Sequence, residues 1–156
     1  ICELDSISVA PGNPRYDSRS GCNAVIETET NSLVLGCRNT VIPDTVTSIR
    51  EYAFLGCDMA SIIIPKKVKF IDEDAFCDCE ETLKTIICLS EKPPKCGKEP
   101  SKRWDSFHYG LSGFYGREFL IVVPKMSIDR YKKAYVWRDF TNIISLDEYE
   151  EMKSQK

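Results

Sequence analysis

The sequence predicts an α/β fold: a short right-handed solenoid of stacked parallel strands, with a β-hairpin inserted near its start and a capping helix near its end. Two observations predict it. Residues 42–63 and 64–85 align as two copies of a 22-residue unit with eight positions identical, where composition alone would give roughly one or two. The identical positions are also the apolar framework. Ile42, Pro43, Val46, Ile49, Glu51, Ala53, Phe54 and Cys57 match Ile64, Pro65, Val68, Ile71, Glu73, Ala75, Phe76 and Cys79, while the polar residues between them vary. A unit this short cannot bury its own apolar face, so stacking one unit on the next must build the core.

Each part of the unit has a physical reading. Pro43 and Pro65 end the preceding strand, because proline has no N–H to donate to a ladder. Val46 and Ile49, like Val68 and Ile71, lie three apart and share one inward side. The Glu-x-Ala-Phe that follows predicts a short helical turn. Small Ala sits where the backbone comes close, and Phe fills the interior, Phe54 over Phe76. Strands at 62–64 and 83–88 should then lie parallel, one coil apart. The period falls in the roughly 20–29-residue range of leucine-rich repeats and is too short for ankyrin or tetratricopeptide units.

The stretch 42–57, I-P-D-T-V-T-S-I-R-E-Y-A-F-L-G-C, resembles the BspA-like leucine-rich repeat family of bacterial surface proteins, also called the Treponema pallidum type. Cys2-x-Leu4-x-x-Ile7-x-Val9 resembles that family's cysteine-to-strand segment, which places the start of the chain inside a repeat. Pro11-Gly12-Asn13-Pro14-x-Tyr16 through Leu33-Val34-Leu35 resembles the longer repeat variant with an inserted hairpin. Val123-Pro124 through Trp137 and Phe140 resembles the segment that closes such arrays. The resemblance implies one leucine-rich-repeat domain over 1–156: a long repeat at 1–41, two 22-residue coils at 42–88, a loop at 89–118 and a C-terminal cap at 119–156. One departure stands out. Ala60 occupies a position where leucine is usual, which implies looser packing of that coil.

The remaining elements follow from local chemistry. Residues 22–28 and 32–36 are apolar-rich runs joined across Glu29-Thr30-Asn31, and Asn tolerates positive φ, so they predict a hairpin. Residues 90–118 carry Pro93-Pro94, Pro100 and several glycines, which predicts an extended excursion. Its aromatic residues argue for a packed loop. Residues 119–123 form the last solenoid strand. Ser127 is placed to cap a helix over 128–138, with Ile128, Tyr131, Tyr135 and either Ala134 or Arg138 at helical spacing. Residues 141–146 add a short strand, and the charged tail 147–156 should fray or form a loose helix.

Composition narrows the function. The chain has 156 residues, 42% hydrophobic and 29% charged, which excludes collagen-like, low-complexity and wholly disordered classes. Its longest apolar runs, 62–64 and 119–123, are too short to cross a bilayer, so no membrane insertion is expected. The N-terminus lacks the basic start and apolar stretch of a secretory signal, so any such signal is expected to be gone already. With 21 basic and 24 acidic side chains, no nucleic acid is expected as partner.

The eight cysteines allow several readings. Cys77-x-Cys79, Cys88 and Cys96 do not fit the paired C-x2–4-C spacing of structural zinc, and Cys79 is already placed in the core by its match with Cys57. No metal is expected. Cys88 and Cys96 flank a Pro-Pro turn that allows a disulfide, which would stabilise by roughly 2–3 kcal/mol; two free thiols fit the sequence as well. Cys2, Cys57 and Cys79 read as an inward ladder of reduced thiols. The single histidine, His108, has no cysteine-protease or G-x-S-x-G signature around it, and no phosphate-cradling or dinucleotide motif occurs, so neither catalysis nor a cofactor is expected.

Two surfaces remain for recognition. Lys66, Lys67 and Lys69 form a basic turn, and Lys92, Lys95, Lys98, Lys102 and Arg103 follow on the later loop; the plainest reading of such charges is solvated surface. Trp104, Phe107, Tyr109 and Tyr115, flanked by Lys102 and Arg103, form the sharper candidate for partner binding, because such residues anchor interfaces. Packing back onto the last coil is their alternative role. The resemblance implies a non-enzymatic binding module of a secreted or cell-surface bacterial protein, engaged in adhesion to a protein on the host or a neighbouring cell. The alternative is a run of spacer repeats within a longer surface protein.

Overall fold

The computed structural model describes residues 4–97 and 119–155. In chain order the strands are β1 (Tyr16–Asp17), β2 (Ala24–Glu27), β3 (Ser32–Gly36), β4 (Ser48–Ile49), β5 (Ser61–Ile64), β6 (Phe70–Ile71), β7 (Thr85–Cys88), β8 (Lys95–Cys96), β9 (Leu120–Val123) and β10 (Ile143–Ser145). They form two sheets, one ordered β1-β2-β3-β4-β6-β8 and the other β10-β9-β7-β5. From β4 to β9 the chain alternates between them, so each repeat adds one strand to each sheet. The β1–β2 and β2–β3 pairs are antiparallel; the other pairs are parallel. The result is a mixed α/β fold dominated by parallel strands.

The framework read from the repeat is the core. Val46, Ile49, Ala53, Phe54, Val68, Ile71, Ala75 and Phe76 are buried. Phe54 and Phe76 lie ring over ring, centroids 5.2 Å apart and planes within 1°. The hairpin of β2 and β3 forms as expected, with Asn31 in the left-handed region at φ 54°. Gly36 ends β3 against Phe54, where a Cβ would overlap the aromatic ring.

Four expectations are corrected. First, Glu-x-Ala-Phe makes no helical turn. Tyr52 and Asp74 take φ of 57° and 54°, so the segment is a run of tight turns in which some N–H groups, such as those of Ala53, Leu55 and Cys57, bond three residues back and others bond laterally to the next repeat. The N–H groups of Gly36, Phe54 and Gly56 donate to the carbonyls of Ala53, Ala75 and Cys77, each at 2.8 Å. A turn whose donors are shared between its own carbonyls and its neighbour's has no need of a helix's i→i−4 ladder.

Second, Ala60 leaves no loose coil. Ile49 pairs with Ile71, 22 positions on, but Ser61 pairs with Thr85, 24 on. Two extra residues enter the turn after Cys79, so Leu83 corresponds to Met59, and both are buried. The flexible thioether fills the slot where leucine was sought one residue later. Ala60 faces outward, its carbonyl accepting from the N–H groups of Lys84 (2.9 Å) and Thr85 (3.3 Å).

Third, the start of the chain contains no strand among its described residues 4–9; Cys2 lies outside them. The Asp5 carbonyl instead accepts from Asn39 Nδ2 at 3.0 Å and the Cys37 thiol at 3.5 Å.

Fourth, the helix expected over 128–138 is one turn, α1 (Ile128–Tyr131). Val136 reaches φ 70°, a costly conformation for a β-branched residue, and ends any continuation. The bend turns Trp137 inward against Tyr131, edge to face with centroids 5.0 Å apart. Ser127 makes no side-chain cap and is buried. The charged tail is better ordered than its composition suggests. Helix α2 (Leu146–Ser154) starts from a capping box in which Ser145 and Glu148 satisfy each other's backbone N–H.

Candidate binding surface

Trp104, Phe107, Tyr109, Tyr115, Lys102 and Arg103 lie outside the described residues, as does His108. The two ends of their segment are described. At the entry, Gly97 adopts φ 65° and donates its N–H to the Ile71 carbonyl at 2.9 Å. At the exit, Phe119 is buried with its ring 5.7 Å from that of Phe140.

Among the described residues no group of three or more His, Cys, Asp or Glu is placed to hold a metal ion. The described thiols are free, and each inward one has its own local partner. Cys57 points at the Gly36 carbonyl and Cys79 at that of Phe54. Burial pushes the Cys79 thiol up to about 12 and those of Cys88 and Cys96 in the same direction. Groups so disfavoured as thiolates are poor nucleophiles and poor ligands. They act as compact apolar filler.

The two lysine groups read separately from sequence meet in space. The turn before β6 and the turn before β8 stack on each other, with the Lys95 N–H donating to the Lys69 carbonyl at 2.9 Å. Between them lies a cleft of about 670 Å³. Among the described residues Val68, Leu89 and Pro93 form its apolar lining, and Lys66, Lys69, Lys92 and Lys95 stand exposed around it with one carboxylate, Glu91. No side-chain ion pair within 4 Å joins any of these lysines to a carboxylate among the described residues.

The later turn is braced from beneath. Ser90 Oγ donates to the Lys92 carbonyl at 2.7 Å, Tyr131 Oη donates to the Ser90 carbonyl at 2.8 Å, and Trp137 Nε1 donates to the Pro94 carbonyl at 2.8 Å. Tyr131 Oη also lies 3.1 Å from the Cys88 thiol. Helix α1 and the bend after it therefore have a purpose beyond filling the core: they deliver Tyr131 and Trp137, two large rings whose polar tips fix the wall of the cleft. Sequence reasoning found the lysines and missed the cleft. The signal available was the 26-residue spacing of Lys66–Lys92 and Lys69–Lys95.

Parallel strands recur at 22 and 24 residues in the two sheets, with an inward Phe and Cys per repeat. Residues 30–96 match the family model for the BspA type leucine rich repeat region (6 copies). No curated protein matches the chain.

Proposed function

We propose that the chain is a non-enzymatic protein-binding module of a secreted or cell-surface bacterial protein, with adhesion to a host or neighbouring-cell protein as its role. Its scaffold in this reading is a right-handed solenoid, supported by the strands' alternation between two parallel sheets and by the strong bias of parallel crossovers to that hand. The segment 119–155 closes the array, its Tyr131 and Trp137 buried against the last turn. The observation that carries the binding role is the braced turn at 89–95 leading directly into the aromatic segment. Recognition loops work best when a rigid scaffold presents them, and Gly97 and Phe119 hold the two ends of this one.

In this reading Trp104, Phe107, Tyr109 and Tyr115 anchor the partner, with Lys102 and Arg103 beside them. The test is capture of extracellular-matrix and cell-surface proteins by the purified chain, paired with melting curves for Trp104→Ala. A binding role requires wild-type melting with affinity weakened by about 2 kcal/mol or more. A lowered melting temperature with affinity intact would assign the ring to packing. Absence of any captured protein would leave these repeats as spacers within a longer surface protein.

A further inference from the structure

We infer that the lysine cleft takes an acidic, aliphatic stretch of a partner polypeptide, an inference that rests on the binding role proposed above. Charge is the first argument. The chain carries a net charge of −3, yet among the described residues four lysines and a single carboxylate surround this cleft. Lys69 and Lys95 sit on turns joined by a backbone hydrogen bond, and like charges on adjacent strands repel. A bound anion relieves that repulsion.

The lining decides between anions. Half-buried Leu89 and Pro93, with the methylene stems of the lysines, offer aliphatic surface beside the ammonium groups. Among the described residues no aromatic ring lines the cleft, and this aliphatic lining suits polypeptide side chains better than sugar rings or nucleobases, which stack on flat faces. Carboxylates alternating with leucine-like side chains match both halves of the surface. Lysine ammonium groups, acting as point charges, need no bidentate geometry from them. The volume, about 670 Å³, lies in the roughly 300–1,000 Å³ range of ligand sites. The braces from Tyr131 and Trp137 hold the wall in place before binding, which lowers the ordering cost.

The experiment is fluorescence anisotropy of the whole chain with a labelled peptide, Glu-Leu-Glu-Glu-Leu-Glu, against its glutamine analogue, Gln-Leu-Gln-Gln-Leu-Gln. The acidic peptide should bind, weaken steeply between about 50 and 300 mM salt, and lose about tenfold in affinity in Lys69→Gln/Lys92→Gln. Lys84→Gln/Lys153→Gln removes the same charge away from the cleft and should leave binding within about twofold. All four positions are exposed, so melting curves should match wild type. Equal binding of the two peptides, equal losses in the two double variants, or tighter binding of a sulfated oligosaccharide or single-stranded DNA would overturn the inference. Partner capture that survives Lys69→Gln/Lys92→Gln but fails in Trp104→Ala would overturn it while leaving the binding role standing. Absence of both peptide binding and capture would remove the two together.

Discussion

Replacing Phe76 with alanine removes a ring that is 1% exposed and lies parallel to Phe54 at 5.2 Å. Burial of a phenylalanine contributes roughly 1.5–3 kcal/mol by transfer from water, and an offset aromatic pair adds about 0.5–1.5 kcal/mol. The space left behind adds a cavity cost, because the parallel strands on either side are hydrogen-bonded in register and cannot collapse inward. The expected total is about 3–5 kcal/mol, set against a whole-domain stability of roughly 5–15 kcal/mol. In a chain of this size that corresponds to a fall of roughly 6–20 °C in melting temperature. Urea titration followed by circular dichroism measures it, as a lower midpoint at unchanged slope. Phe76→Leu keeps most of the apolar area but loses the stack, and should fall between. A cycle with Phe54→Ala should show coupling of about 0.5–3 kcal/mol. A loss below about 1 kcal/mol for Phe76→Ala would mean that the ring is not in the core and that the repeat alignment is wrong.

Gly36→Ala should destabilise by about 1–3 kcal/mol, because its Cβ overlaps the Phe54 ring; combining it with Phe54→Leu should cost less than the sum, and strict additivity in urea melts would contradict the close approach. Cys79, with its thiol pushed up to about 12, should resist a thiol-exchange reagent at neutral pH until the protein unfolds, whereas half-buried Cys77 should label first among the described cysteines; mass mapping of the native protein with Cys79 modified before Cys77 would sink the inward placement. Hydrogen bonding from Arg19 holds the Asp17 carboxyl down at about 2, from an ordinary 3.8. The stability this confers is present above the ordinary value and lost as pH falls through about 2; with solvent screening it amounts to about 1 kcal/mol, and Asp17→Asn should remove it at neutral pH and flatten the acid limb of the stability curve. Ser145→Ala should lose about 1 kcal/mol through the capping box of α2, read as lost helical signal or a lower melting temperature.

The repeat was legible because stacking imposes it. A side chain that faces inward in one repeat lies directly against its counterpart in the next, as Phe54 lies against Phe76 and Ile49 against Ile71. Positions that touch their own copies must share size and polarity, and that demand appears in the sequence as identity at a fixed spacing. The hairpin was equally legible, since two apolar runs around an Asn that accepts positive φ leave little else to form. The cleft was not. Its lysines are individually ordinary surface residues, and only the pairing of β6 with β8, which sets Phe70 against Lys95, brings the two groups onto one wall.

By itself, then, the sequence determined which residues of the repeat face inward, where the hairpin and the second sheet's strands lie and that successive units stack, because these depend on side-chain chemistry; the short strands β4, β6 and β8 of the first sheet were not legible in it. Tertiary structure decided the rest. The second sheet's 24-residue register, the lateral bonds of the turns from one repeat to the next, and the docking of Tyr131 and Trp137 on the carbonyls of Ser90 and Pro94 all depend on backbone groups finding partners far along the chain. Backbone donors and acceptors are the same in every residue but proline, so the pattern of side chains does not record which of them will pair.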